Sequence, residues 1–242
     1  MKKLYQKSEI CFAIIWIIAY CFLVSLGDNL SDILGTSKAI TLPILIVLSF
    51  VAYLFVKNNN LLDKYGLCKP ELKASKMLFY IPFIILLTAN FWNGIAINFS
   101  FIETILYICS MLLVGFLEEI IFRGFLFNAM AKENINFAII LSSITFGIGH
   151  IINLINGSGA QLVPNLLQVI YAIAAGFAFV MVYYRSKSLI VCIITHGLFN
   201  AFSAFVNEMT ITIKEQIISC ILLTIISSSY AIYLAFFKKE KN

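Results

Sequence analysis

Residues 116–124 read FLEEIIFRG, and Glu118, Glu119 and Arg123 stand there inside a long apolar run. A charged side chain at the centre of a bilayer costs roughly 2.5–3.5 kcal/mol on insertion scales, so such groups persist where they have partners or chemistry. The chain holds two histidines, His150 in TFGIGH and His196 in THGLFN, and both fall in apolar stretches as well. Asn200 follows His196 by about one helical turn. A carboxylate, two imidazoles and a carboxamide in apolar surroundings allow three chemistries. A buried carboxylate gains proton affinity and can take a proton from water, while imidazole and amide groups stabilise an oxyanion. Two histidines and one carboxylate can hold zinc with an open coordination position. The same groups can also relay protons through a transporter.

The elements that must carry these residues are membrane helices. Of the 242 residues 61% are hydrophobic and only 12% charged, with a mean hydropathy of +0.96. Ordinary soluble domains are about half apolar and a quarter charged. The apolar residues come in runs near the roughly 20 residues that a crossing helix needs, not in amphipathic stripes. The runs predict eight spans at 9–27, 40–57, 77–93, 101–131, 136–155, 163–184, 188–206 and 216–237. The fold class expected is an all-α polytopic membrane protein, about eight helices in one bundle around a buried polar site. Pro82 interrupts the third run, which is expected to be tilted or partly interfacial. The longest stretch outside the spans, 58–76, reads as a solvated loop with a short surface helix. No repeat or low-complexity linker divides the chain, so residues 1–242 read as a single membrane domain.

Helix rise puts the polar residues at matching depth. At about 1.5 Å per residue, Glu118 lies about 21 Å by the helix path from Lys132, His150 about 24 Å from Asn134, and Asn200 about 18 Å from Ser188. Residues four apart share a helix face. Glu119 and Arg123 have that spacing and read as a buried ion pair, which leaves Glu118, about 100° round the helix, to face another cavity. His196 and Asn200 share one face, and so do Phe146 and His150, with Phe146 as a packing ring. Asn165 and Gln168 read as helix–helix glue or caps, and AIAAG at 172–176 as close packing. Glu103 and Glu208 sit near span ends and read as interfacial.

Charge supplies an orientation. With both termini on one side, fourteen of the 17 Lys and Arg fall on that side, Lys38 and Lys214 on the other, and Arg123 within a span. By the positive-inside rule the termini are expected in the cytoplasm. The net charge of +5 is then a topology signal, and no nucleic-acid partner is expected. The first span begins with lysines like a secretory signal, but its length and the seven spans after it read as an uncleaved helix. The six cysteines match neither a disulfide framework nor a zinc pattern and read as small apolar residues.

The trio EExxxR (Glu118, Glu119, Arg123), then FxxxH (Phe146, His150), then HxxxN (His196, Asn200), on successive membrane helices, resembles the CPBP family of CAAX proteases and bacteriocin-processing enzymes, also called the abortive-infection family. The stretch YYRSKSLIVCIITHGLFNA is similar to the family as well. The resemblance covers residues 110–206, the expected catalytic core. It implies an intramembrane endopeptidase acting on a membrane-bound peptide or protein in the lipid bilayer, with peptide maturation or bacteriocin or pheromone processing as the expected role. It implies that Glu118 and His150 handle water and that His196 and Asn200 stabilise the intermediate, with Glu119, Arg123 and Phe146 in support. No cofactor is the favoured expectation; the alternative is zinc or another divalent metal on Glu118, His150 and His196, although HExxH is absent. Against the transporter reading, no inverted repeat and no paired broken helices are seen. The composition, with Lys over Arg and abundant Ile and Asn, suggests an AT-rich genome, and the expected location is a bacterial plasma membrane. The sequence assigns neither oligomeric state nor cleavage site.

Overall fold

The computed structural model describes residues 1–156, 159–207 and 211–236, and Glu208 and the C-terminal lysines Lys238, Lys239 and Lys241 lie outside them. The chain is an all-helical bundle whose described residues form no strand, only one isolated bridge between Ile95 and Val206. After a short helical stretch at Lys2–Lys7, the long helices are α1 (Glu9–Ile33), α2 (Thr41–Asn58), α3 (Ala74–Phe91), α4 (Phe101–Ala131), α5 (Ile135–Leu154), α6 (Leu162–Ser186), α7 (Ile190–Phe205) and α8 (Ile213–Phe236). Seven are long and apolar enough to cross a membrane; α7 is apolar but shorter. Large apolar side chains such as Ile18, Phe22, Phe50, Ile84 and Ile225 are exposed on the outside of the bundle, where only hydrocarbon would suit them.

Three expectations shift. First, α1 runs to Ile33, six residues beyond the apolar run. Its polar end stays helical because its groups are partnered: Asp28 accepts from Lys38 Nζ and Thr41 Oγ1 at 2.7 and 2.6 Å, and Ser31 Oγ donates to the Gly27 carbonyl. Second, α3 is broken before Pro82 and not by it. Leu78, Phe79 and Tyr80 adopt left-handed backbone with φ of 52°, 52° and 60°. Pro82 sits in the first turn of the following helix Ile81–Thr88, where a missing N–H costs nothing. Third, residues 59–73 form turns and carry no surface helix. They are pinned instead by backbone bonds, among them Leu189 N–H to the Gly66 carbonyl and Glu71 N–H to the Ser186 carbonyl.

The long helix α4 positions the acidic pair. Ser100 and Glu103 close a capping box at its start, so Glu103 serves as a cap. From Glu119 to Phe127 the helix widens into π geometry, and every residue of that stretch is buried. Such insertions are frequent at functional sites. Glycine sets how close its neighbour comes. A Cβ on Gly115 would lie 2.4 Å from Gly197 N, so α4 and α7 touch backbone to backbone one turn from the acids and beside His196. In the same way α5 meets α6, where a Cβ on Gly147 would lie 2.6 Å from Ile173 N. Gly176 in the AIAAG run packs against the Ser143 backbone, the close packing that small residues permit.

Candidate active site

Glu118 is fixed from two helices. The Tyr20 hydroxyl of α1 donates to Glu118 Oε1 at 2.7 Å. His196 Nε2 of α7 stands 3.5 Å from Glu118 Oε2. The other ring nitrogen, Nδ1, is 2.9 Å from Glu119 Oε1. Glu119 Oε1 also accepts from Arg123 Nη1 at 3.0 Å, with both side chains fully buried. The imidazole therefore bridges the two carboxylates, and the expected Glu119–Arg123 pair extends into a chain of charge: Arg123, Glu119, His196, Glu118.

Aromatic rings enclose that chain. The Arg123 guanidinium lies 4.0 Å from the Phe146 centroid and 5.4 Å from that of Phe179. Stacking of this kind compensates a desolvated guanidinium whose Nε and Nη2 find no hydrogen-bond partner. Phe179 stacks on His196 at an interplanar angle of 22°, while Phe146 meets both His196 and His150 edge-on. Phe146 is the packing ring its spacing suggested, and it touches both imidazoles.

His150 ends the regular part of α5. Its Nδ1 lies 3.2 Å from the Phe146 carbonyl. If Nδ1 donates there, Nε2 is the acceptor of the neutral ring. Asn165 Nδ2 of α6 donates to the His150 carbonyl at 2.9 Å, and Gln168 Oε1 accepts from Asn153 Nδ2 at 3.3 Å. The glue expected of Asn165 and Gln168 thus braces the turn bearing His150.

Glu118, His150 and Asn200 line one cavity of about 390 Å³ together with Tyr20, Phe122 and Ser203. His150, His196 and Asn200 also line a smaller space of about 60 Å³ beside it. The matched depths estimated from helix rise correspond to residues that meet. Among the described residues no group of three or more His, Cys, Asp and Glu side chains is placed to hold a metal ion. Both His196 nitrogens face carboxylates, and His150 Nδ1 faces a carbonyl. Tyr20 escaped the sequence reading, because its helix carries no motif. The available signal was a tyrosine deep in an apolar span, whose hydroxyl must find a partner when buried.

Residues 100–202 match the family described as type II CAAX prenyl endopeptidase Rce1-like. That segment holds every residue of the constellation except Tyr20. This segment is similar to that family, and it carries the EExxxR, FxxxH and HxxxN motifs. The chain is also similar to "Putative membrane peptidase YdiL" of Bacillus subtilis (strain 168), 34% identical over 99 residues, which is 40% of this chain and 35% of that protein. The match spans about a third of the relative's length. In the matched segment the two acids stand at the junction of α and π geometry in α4, the FxxxH histidine caps the regular part of α5, and the HxxxN pair shares α7. The helix that supplies Tyr20 lies outside the matched segment.

Proposed function

We propose that the chain is an intramembrane endopeptidase that hydrolyses a peptide bond of a membrane-associated peptide or protein, with Glu118 activating the water. The observation that carries this reading is the single cavity shared by Glu118, His150 and Asn200 within the family core. A water held by the Glu118 carboxylate and His150 Nε2 would donate one hydrogen to each acceptor, leaving a lone pair for the carbonyl carbon. Glu118 takes the proton as the oxygen attacks and returns it to the departing amine. Tyr20 holds one oxygen of Glu118, so the carboxylate keeps a fixed direction. His196 is oriented from behind by Glu119 and Arg123. With Nδ1 against Glu119, Nε2 is the nitrogen on the Glu118 side, where its hydrogen would be shared between that carboxylate and the developing oxyanion. Asn200, one turn on, supplies the second donor, and such preorganised donors are usually the largest catalytic contribution. The role that fits is peptide maturation, such as processing of a bacteriocin or pheromone, in a bacterial plasma membrane.

Each step written here runs through the chain's own residues. The test uses the purified chain in liposomes with candidate membrane peptides, with and without a strong chelator, and a metal analysis of the same sample. The expected result is cleavage that survives the chelator. Loss of cleavage restored by zinc would replace the glutamate mechanism with a metal-dependent one. Absence of cleavage across membrane peptides, with proton-coupled uptake instead, would favour a transporter.

A further inference from the structure

We propose that the substrate reaches Glu118 from the membrane face opposite the lysine-rich end, so that the bond cut lies in a segment exposed on the outer side of the membrane. The nature of that segment rests on the peptidase reading; the side of entry rests on the fold.

The two ends of the bundle are distinct. At one end Lys64 and Lys132 both bind Glu9, at 2.7 and 2.9 Å, joining the start of α1, the 59–73 turns and the end of α4. The Ser188 hydroxyl donates to the Cys68 carbonyl, and Arg185 donates to the Leu234 and Ala235 carbonyls at the end of α8. Of the described basic residues, three precede α1 (Lys2, Lys3, Lys7), five lie at 57–76, one is Lys132, and two are Arg185 and Lys187, eleven in all. At the other end Asn29 Nδ2 donates to the Asn156 carbonyl, Asn98 Nδ2 donates to the Val206 carbonyl, and Ser37 N–H donates to Glu103. Only Lys38 and Lys214 stand there. Eleven against two assigns the first end to the cytoplasm.

The cavity opens away from that end. Its wall takes Tyr20, Ser25 and Asp28 from α1 but nothing nearer Glu9, and its rim carries Lys38, Asn156 and Ala160. On the cytoplasmic side of Tyr20 the bundle is filled by Phe12, Trp16, Phe55, Tyr65 and Phe125, each at most 7% exposed. Their rings pack with centroids 4.7–6.4 Å apart. That aromatic plug separates the lysine-rich loops from Glu118. A peptide tail presented in the cytoplasm faces the plug, while a segment already carried across faces the open rim. The Asp28–Lys38 pair at the rim offers both signs of charge to a polar chain.

Cysteine accessibility tests the side without requiring cleavage. Single-cysteine chains carry Ala160→Cys at the rim, Ser25→Cys on the wall, or only the native Cys68 at the plugged end. Intact cells are treated with a membrane-impermeant thiol reagent, and labelling is read as a mass shift before and after permeabilisation. The expected result is labelling of the Ala160→Cys and Ser25→Cys chains in intact cells, and of the Cys68 chain only after permeabilisation. Labelling of the Cys68 chain in intact cells, or of the cavity chains only after permeabilisation, overturns the proposal. Because the readout is access and not hydrolysis, it separates an error about the side from an error about the peptidase reading.

Discussion

At the scale of single residues, the least expected feature is how many groups hold Glu118 and His196. Tyr20→Phe removes one hydrogen bond to a carboxylate and leaves the ring. A bond to a charged group contributes about 1.5–3 kcal/mol, which corresponds to a loss of roughly tenfold to a hundredfold in kcat if the bond directs the base. The chain should still fold, with kcat lowered and KM little changed, because the carboxylate has lost the donor that directs it; an unchanged rate would make Tyr20 a packing residue only. Glu119 has a double duty. Glu119→Gln keeps the shape but breaks the charge match with Arg123, and uncompensated burial costs about 3–5 kcal/mol. The expectation is a lower melting temperature together with lower activity, since His196 loses its anchor. Asn200→Ala should retain a residual rate, about 10²–10³ below wild type, because one oxyanion donor remains. Spacing showed Glu119 and Arg123 as a pair because they are four apart on one helix. It could not show that His196, 77 residues further on, completes the link.

At the scale of elements, the site depends on helices that approach more closely than side chains normally permit. Gly115→Ala forces a methyl into the Gly197 backbone, and overpacking of a tight core typically costs about 1–3 kcal/mol. The predicted outcome is reduced thermal stability and a disproportionate fall in kcat, because separating α4 from α7 lengthens the His196 contacts to both acids. A fall in stability with full activity in the remaining folded protein would show that the approach is not needed for the site. The salt bridges on Glu9 provide the contrast. Lys64 and Lys132 are part exposed, and such pairs are worth about 0–1 kcal/mol each. Glu9→Gln should therefore shift the melting temperature little and leave cleavage intact. The eight apolar runs were legible because span length is set by the bilayer. The break in α3 was misplaced because the sequence displays Pro82 and hides the left-handed turn before it. The end of α1 was misjudged because Asp28 looks like a stop until Lys38 and Thr41 are seen to satisfy it.

At the scale of the whole molecule, the family-like core of residues 100–202 supplies the acids, both histidines and Asn200, and the amino-terminal helices complete and close the site. α1 adds Tyr20 to Glu118 and, with α2 and the 59–73 turns, fills the lysine-rich end with aromatic rings. This division explains what was readable. The core's chemistry is carried by residue types that are costly in a membrane, so each one stands out. The contribution of α1 is carried by tyrosine, phenylalanine and tryptophan, which are ordinary in any apolar helix and gain meaning only from their neighbours. The central claim is that one carboxylate, Glu118, activates the water, and the most direct test is the rate of peptide cleavage by purified Glu118→Gln set beside wild type. Matching melting temperature and membrane yield establish that both are folded. Gln keeps the shape and can still bond Tyr20, but it cannot take a proton from water. The account predicts cleavage reduced to background. Cleavage by Glu118→Gln at the wild-type rate would contradict it.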